Sequence, residues 1–158
     1  DLWLRYKSQS TQSNSLGGKV FEGILATILF RSKILPIYVE ANITFVPNVN
    51  FDFVLYSKEH GPIILSAKTS LRERYKQADL EGMMLRHVHR RSKSYLITLD
   101  SPAAKTTNKK IDKGFIFGLD EVVVANDKTF DKLIAELKLL NFYTPPKLDV
   151  LTSQRLIR

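Results

Sequence analysis

The first apolar positions of the chain recur at helical spacing, and the pattern then changes to the alternation of a strand. Ser15 is a suitable N-cap, and the apolar stripe behind it predicts a helix from Leu16 to a point before Pro36. Residues 37–45 alternate at period two and are rich in β-branched and aromatic residues, which predicts a strand. The helical stripe consists of Val20, Phe21, Ile24, Leu25, Ile28 and Leu29.

Two more strands are predicted directly after the first one. A turn at residues 47–50 leads into a strand at 51–56, and a turn at 58–61 closes a hairpin with a strand at 63–67. This last run is mostly apolar on both of its faces, as expected for a central strand that is covered on both sides.

Helices and strands alternate in the rest of the chain. A long helix is predicted from Ser70 to Arg91, because Leu71, Tyr75, Ala78, Gly82, Leu85 and Val88 step by three or four residues. The later elements are a strand at 95–99, a polar basic loop at 101–114, strand pieces at 115–117 and 122–124, a helix at 130–140 and a short edge strand at 148–151. This order predicts an α/β fold in which helices flank a mixed central sheet.

Composition and charge narrow the class of protein. Lys and Arg number 24 against 16 Asp and Glu, a formal net charge of +8 with a pI near 9.7. The excess favours a polyanionic partner, with nucleic acid first, although a merely soluble basic protein fits the charge about as well. The absence of cysteine excludes disulfides and cysteine zinc sites, and it fits a reducing, cytoplasmic compartment. No apolar run approaches the roughly 20 residues of a membrane helix.

The length sets the expected organisation. A chain of 158 residues can form one domain with its own core. We therefore expect a single domain over residues 1–158, with a flexible N-terminal segment at 1–15 that contains a Ser- and Gln-rich tract. Since residue 1 is Asp1 rather than Met, the sequence could be part of a longer protein whose recognition domain is left out.

Candidate chemistry is concentrated at the end of the third strand. Lys68 ends a buried strand, where an ammonium group is costly unless it meets an anion or takes part in chemistry. Thirteen residues separate Asp52 from Ser66, so hairpin pairing could bring the Asp52 carboxylate next to Lys68. With the Ala67 carbonyl, this carboxylate offers hard oxygen ligands of the kind that Mg²⁺ prefers. An ordinary salt bridge between Asp52 and Lys68 explains the same residues equally well.

These residues resemble the signature of the PD-(D/E)xK nuclease superfamily. Asp52 followed by Ser66-Ala67-Lys68 is similar to its Asp…(Asp/Glu)-x-Lys motif, and the run from Lys68 to Gln77, KTSLRERYKQ, is similar to a segment of some type II restriction endonucleases. The resemblance covers roughly residues 16–125. It implies a restriction-endonuclease-like fold and a Mg²⁺-dependent endonuclease that cuts double-stranded DNA, leaves a 5′-phosphate and acts as a homodimer in a cytoplasmic restriction-modification system.

The chain departs from this signature at Ser66, which stands where the family has its second acid. A serine cannot supply the second carboxylate, and such folds can take it from the first helix. Glu22 is then the expected metal ligand together with Asp52 and the Ala67 carbonyl, although a solvated Glu22 at the helix rim is the ordinary alternative. Glu40 on the first strand is a weaker candidate. Without a second acid, the protein would be a catalytically degenerate, nuclease-like DNA-binding subunit.

Cationic and amide side chains follow Lys68 on the predicted helix. Guanidinium groups bind phosphate oxygens in a bidentate manner, so Arg72 and Arg74 are expected at the scissile phosphate, and Gln77 could contact Lys68 or the attacking water. A wider DNA-binding set comprises Arg72, Arg74, Lys76, Arg86, Arg90, Arg91, Lys105, Lys109 and Lys110. The ordinary alternatives are a favourable helix dipole for the arginines near residue 90 and a solvated loop for the lysines.

Overall fold

Helices and strands alternate along the chain in the computed structural model, which describes residues 2–8, 14–145 and 150–158. The helices are α1 (Leu2–Ser8), α2 (Asn14–Arg31), α3 (Arg74–Val88), α4 (Ser101–Asp112) and α5 (Lys128–Lys138). The strands are β1 (Ile37–Ile43), β2 (Phe51–Ser57), β3 (Gly61–Lys68), β4 (Lys93–Thr98), β5 (Glu121–Val124) and β6 (Val150–Ile157).

The strands form one mixed sheet in the order β5-β4-β3-β2-β1-β6. The pairs β3–β4 and β4–β5 are parallel, whereas β2–β3, β1–β2 and β1–β6 are antiparallel. The predicted meander of three strands is therefore confirmed, as is the mixed sheet flanked by helices. Its centre is β3, which lies between an antiparallel neighbour and a parallel one, as its apolar sequence predicts.

Helices cover both faces of the sheet, because successive residues of a strand point to opposite sides. On one face, α2 and α5 pack on the sheet through a cluster that includes Phe21, Leu25, Phe53, Leu65, Ile97, Phe130 and Leu133. On the other face, α3 and α4 pack on it through two clusters that include Val54, Ile64, Leu85, Leu71, Ala78, Leu96 and Ala104. Both faces of β2 and β3 are thus closed to solvent along most of their length, and only the strand ends are accessible.

The segment at residues 101–114 is the largest error of the sequence analysis. It is predicted as a loop, but Ser101–Asp112 form α4. The side chain of Asp100 caps the helix by accepting from the N–H of Ala103, and a proline lies in its first turn, where proline is tolerated. The lysines are spaced so that Ala104 and Thr107 still form a buried stripe. A high lysine content therefore hides an amphipathic helix here.

Two other boundaries differ from the prediction. The helix predicted from Ser70 begins at Arg74, because residues 69–73 form a turn in which Arg72 has a φ of 39°. The predicted strand piece at 115–117 is irregular, and its Phe115 and Phe117 are 71% and 61% exposed. This segment packs across α3, where Gly118 approaches the helix backbone too closely for any side chain.

The N-terminal segment contains a helix. Leu2–Ser8 form a helix where the sequence predicts a flexible segment, and Trp3 packs edge-on against Phe21 of α2 with ring centroids 5.8 Å apart. Residues 9–13, which hold most of the polar tract, lie outside the described residues, as does the start of the edge strand predicted at 148–151. Across the residues that are described, no helix is long and apolar enough to cross a membrane.

Candidate active site

The candidate site lies where β2 and β3 separate. The antiparallel pairing of these strands ends at Phe53 and Leu65. Beyond this point, Oδ2 of Asp52 accepts the backbone N–H of Ala67 at 2.7 Å and Nζ of Lys68 at 2.9 Å. The carboxylate therefore takes the place of the missing strand partner and holds the ammonium group at the same time. The predicted meeting of Asp52 and Lys68 is confirmed.

The backbone of Ala67 contributes to the same place. The N–H and C=O groups of one strand residue face the same neighbour. Because the N–H of Ala67 points to Asp52, its carbonyl also faces the opening between β2 and β3. The side chains of Asp52 and Lys68 are 20% and 25% exposed. The group is thus partly sheltered and still reachable from solvent.

Two glutamates approach this group from the two faces of the sheet. Burial raises the pKa of Glu22, on α2, and repulsion from Asp52 raises it further, while Lys68 lowers it. Burial also raises the pKa of Glu81, on α3, and repulsion from Asp52 adds to this, whereas a hydrogen bond from Gln77 and attraction to Lys68 oppose it. Both carboxyl groups therefore interact with Asp52 and with Lys68.

Glu81 is the residue that the sequence analysis misses. Nε2 of Gln77 donates to Oε1 of Glu81 at 2.7 Å, so the amide predicted to contact Lys68 instead orients a carboxylate. The available signal is a Gln–Glu pair four residues apart on the helix that follows Lys68, next to the buried Gly82. On the sequence alone, this pair is indistinguishable from an ordinary surface hydrogen bond.

Glu40 and Ser66 occupy different positions near the site. Glu40 lies between Val39 and Ala41, which pair with the two neighbours of Asp52, and it has a φ of 49°. With Glu22 it lines a cleft of about 200 Å³. Ser66, which the sequence resemblance aligns with the second acid of the nuclease signature, is buried. Because Glu40 shares this cleft with Glu22, repulsion between them raises the pKa of Glu22. Glu40 itself lies on β1, on the side of β2 away from Lys68.

The donor types around Asp52 fit a hard divalent cation. Carboxylate and carbonyl oxygens are the ligands that Mg²⁺ prefers, and two half-buried glutamates near a third carboxylate leave an excess of negative charge. Within the described residues, no three acidic or histidine side chains lie together as a ready-made metal cluster. The fit thus rests on Asp52, the Ala67 carbonyl and one or both of Glu22 and Glu81.

The cations predicted to bind DNA fall into two groups. Arg72, Arg74, Lys76, Arg90, Arg91, Lys105 and Lys109 are exposed. Arg86 instead donates to the Phe117 carbonyl at 2.6 Å and to Asp120 at 2.8 Å, and Nζ of Lys110 donates to the hydroxyl of Tyr75 at 2.8 Å. The guanidinium of Arg86 is thus committed to protein partners, which removes it from the set that we propose below for DNA.

Similarity to known proteins is visible in the structure but not in sequence searches. No protein family model matches the chain, and a search of curated proteins gives no match. Two solved structures do match. A complex of the restriction endonuclease PspGI with substrate DNA has a TM-score of 0.57 and 22% identity over 85% of this chain and 54% of that one. Metal-depleted Ecl18kI in complex with uncleaved DNA has a TM-score of 0.53 and 23% identity over 80% of this chain and 47% of that one.

The fold is restriction-endonuclease-like. The predicted fold class is therefore confirmed. The chain spans about half the length of each of these two endonucleases. At this level of identity the likeness concerns the fold, and the activity has to be argued from the residues at the end of β2 and β3.

Proposed function

We propose that the protein is a Mg²⁺-dependent endonuclease that hydrolyses phosphodiester bonds of double-stranded DNA, as a type II restriction endonuclease or its catalytic domain. The observation that carries the proposal is the Asp52–Lys68 pair, joined through the Ala67 backbone at the point where two strands separate. The fold, which two DNA-bound restriction endonucleases share, supports it.

An ordinary salt bridge explains this arrangement less well. Among the described residues, every hydrogen bond to the Asp52 carboxylate ends on Oδ2, so Oδ1 is left for another donor or a cation. Two further carboxylates, Glu22 and Glu81, lie near enough to be repelled by Asp52. A structural ion pair does not require additional acids, which only raise the electrostatic cost of folding.

Each residue has a distinct role in the proposed reaction. Asp52 and the Ala67 carbonyl, with one or both of Glu81 and Glu22, would hold Mg²⁺, which would stabilise the charge that develops on the phosphate. Lys68, held in place by Asp52, would orient the attacking water by donating a hydrogen bond to it. Gln77 keeps Glu81 turned toward the site. These groups are held on two helices and two strands of the core, which is what a precise reaction geometry requires.

The exposed cations supply the proposed DNA contacts. Arg72 and Arg74 follow Lys68 within a few residues, so they would bind phosphate oxygens next to the site. The phosphate backbone would be contacted without sequence preference by the other exposed cations, Lys76, Arg90, Arg91, Lys105 and Lys109, and by the half-buried Lys110, which also donates to Tyr75. Because symmetric cleavage of a duplex usually needs two active sites, we also propose a homodimer.

A plasmid assay tests the activity against a matched control. The wild-type protein is incubated with supercoiled DNA and Mg²⁺, alongside Lys68→Ala and Lys93→Ala. Both lysines form half-buried pairs with an aspartate, at 2.9 Å for Lys68 and 3.0 Å for Lys93. We expect wild type and Lys93→Ala to nick and linearise the plasmid. For Lys68→Ala we expect the cleavage rate to fall by at least about 100-fold. Equal cutting by wild type and Lys68→Ala would remove the proposal.

Ser66 favours a second candidate function, that of a nuclease-like subunit that binds DNA without cutting it. Serine is a poor substitute for a carboxylate at a Mg²⁺ site. In the same assay this function predicts retention of DNA on a gel without any cutting, for the wild type and for both variants.

A further inference from the structure

We propose that Asp100 is a positioning residue for DNA binding: its carboxylate fixes the turn at residues 69–73 that presents Arg72 and Arg74. The inference extends the function proposed above, since it concerns how the arginines are held and not whether they contact DNA.

The topology places Asp100 beside this turn. Strands β3 and β4 are parallel neighbours, with Lys68 opposite Thr98 at their carboxyl ends. The chain that leaves β3 and the chain that leaves β4 therefore emerge side by side. Oδ2 of Asp100 accepts the backbone N–H of Leu71 at 3.3 Å across this gap. One carboxylate thus links the segment after Lys68 to the segment after Thr98.

The same side chain is fixed from its other side. Oδ1 of Asp100 accepts the N–H of Ala103 at 3.2 Å and caps α4, and the N–H of Asp100 donates to Oγ1 of Thr98 at 3.1 Å. Asp100 is therefore held by the end of β4 and by the first turn of α4. A carboxylate with a fixed position can impose that position on the Leu71 backbone.

The turn itself needs such an anchor. Arg72 has a φ of 39°, a left-handed conformation that is unfavourable for a residue with a side chain. Leu71 is fully buried next to it, and the Leu71 carbonyl accepts the N–H of Arg74 at 2.6 Å. The N-terminus of α3 has no side-chain cap, since the side chain of Glu73 makes no capping hydrogen bond. The contact from Asp100 therefore supplies a restraint that α3 lacks.

Two substitutions of Asp100 separate this role from that of a helix cap. Asp100→Ala removes both hydrogen bonds. Asp100→Ser keeps a good N-cap for α4, but its side chain is too short to reach the N–H of Leu71. Asp127 is the matched control, because it caps α5 through the N–H of Thr129 and has no described contact with the arginine turn. Asp127→Ala therefore loses a cap and nothing else.

Two measurements are made on each protein. Amide hydrogen exchange follows the N–H of Leu71, and fluorescence anisotropy follows binding of a short labelled DNA duplex in EDTA over a series of salt concentrations. For Asp100→Ser and Asp100→Ala we expect faster exchange at Leu71, binding weaker by about tenfold, and a salt dependence whose slope falls by about one per lost phosphate contact. Asp127→Ala should leave all three quantities unchanged.

The outcomes distinguish this inference from the proposed function. If the wild type binds duplex DNA and Asp100→Ser binds it equally well with the same salt slope, the positioning role is overturned and the proposed function stands. Unchanged exchange at Leu71 in Asp100→Ser overturns it as well. If the wild type does not bind duplex DNA even at low salt, the proposed function fails, and the positioning role falls with it.

Discussion

Two aspartates of the described residues each hold a half-buried lysine, and their surroundings differ. Asp120 accepts from Lys93 through Oδ1, and from Arg86 and the N–H of Ser94 through Oδ2, at 2.8–3.0 Å. Two cations and a backbone amide therefore use both of its oxygens. Asp52 uses only Oδ2 for its described hydrogen bonds, with one cation.

The charges around the two pairs also differ. Asp120 lies between a lysine and an arginine, which neutralise it. Asp52 has one lysine and lies near Glu22 and Glu81, whose pKa values it raises. An ion pair that serves stability is expected to be satisfied by the protein itself. The pair to test for chemistry is the one whose aspartate keeps an oxygen without a described protein partner and has two further acids near it.

The largest expected difference is between the two aspartates. Asp52→Asn removes a charge that the proposed metal site needs, so we expect DNA cleavage to fall by about 1,000-fold or more. Asp120→Asn instead leaves Arg86 and Lys93 without their counter-ion, so we expect the free energy of unfolding to fall by about 1–3 kcal/mol. Plasmid cleavage rates and urea denaturation, measured on both variants, check the two expectations.

Two results for the Asp52→Asn and Asp120→Asn variants would contradict this distinction. If a folded Asp120→Asn protein loses cleavage while Asp52→Asn cleaves normally, our proposal assigns the chemistry to the wrong aspartate. A similar loss of stability in both variants, with no difference in the cleavage rate of the folded fraction, would make both pairs structural.

The two glutamates near Asp52 give a smaller but sharper test. Gln77 orients the Glu81 carboxylate, whereas no described hydrogen bond orients Glu22. A preoriented ligand contributes more, so we expect Glu81→Gln to lower the cleavage rate by about 100-fold and Glu22→Gln to lower it by about tenfold. Rates measured over a series of Mg²⁺ concentrations should show weaker apparent Mg²⁺ affinity in both variants.

Glu136→Gln is the control for these two, because it changes an exposed carboxylate on α5, whose core residues pack on the face of the sheet that α2 also covers. Its cleavage rate and Mg²⁺ dependence should match the wild type. If Glu22→Gln has the larger effect, the second acid comes from α2, as the sequence analysis expects, and Glu81 is secondary.

The sequence predicts the Asp52–Lys68 pair but not the approach of Glu81. The hairpin spacing between Asp52 and Lys68 is a local property, because strand length and turn position decide which side chains meet. The approach of Glu81 depends on how α3 packs across the sheet, and nothing near Glu81 in the sequence specifies that distance. Its pairing with Gln77 is visible in the sequence, but its proximity to Asp52 is not.

The error at α4 has a similar origin. Residues 101–114 contain many lysines, and the composition favours a loop. The cap at Asp100 and the proline after it are sufficient local signals for a helix, so this element could have been predicted. The contact from Asp100 to Leu71 could not, since it joins residues 29 positions apart through the parallel pairing of β3 and β4.

The arginines extend the comparison to DNA binding. Arg72 and Arg74 are exposed, whereas Arg86 belongs to the Asp120 cluster. We expect Arg72→Ala and Arg74→Ala each to weaken duplex binding by about fivefold to tenfold and to reduce the salt slope by about one. Arg86→Ala should lower the melting temperature and leave the salt slope unchanged. Anisotropy titrations at several salt concentrations measure the slopes, and an unchanged slope in both Arg72→Ala and Arg74→Ala would contradict the proposed phosphate contacts.

The smallest expected effect is on the pH dependence of stability. The pKa values of Glu22 and Glu81 are raised above the ordinary value of 4.5, so the folded protein binds protons at these groups more readily than the unfolded chain does. Their contribution to stability is then fully present below about pH 4.5 and is lost as the pH rises through the raised folded values. The double variant Glu22→Gln/Glu81→Gln should therefore lose less stability than the wild type between about pH 5 and pH 8, as measured by melting temperatures.

Addition of Mg²⁺ separates this effect from burial alone. A cation that binds the deprotonated carboxylates stabilises the folded state at the higher pH values, so Mg²⁺ should restore the melting temperature of the wild type there. It should not do so in the double variant, which has no charge at these two positions, and Glu136→Gln should respond like the wild type. If Mg²⁺ stabilises the double variant as much as the wild type, the cation binds elsewhere, and the acids near Asp52 are an electrostatic cost without a metal.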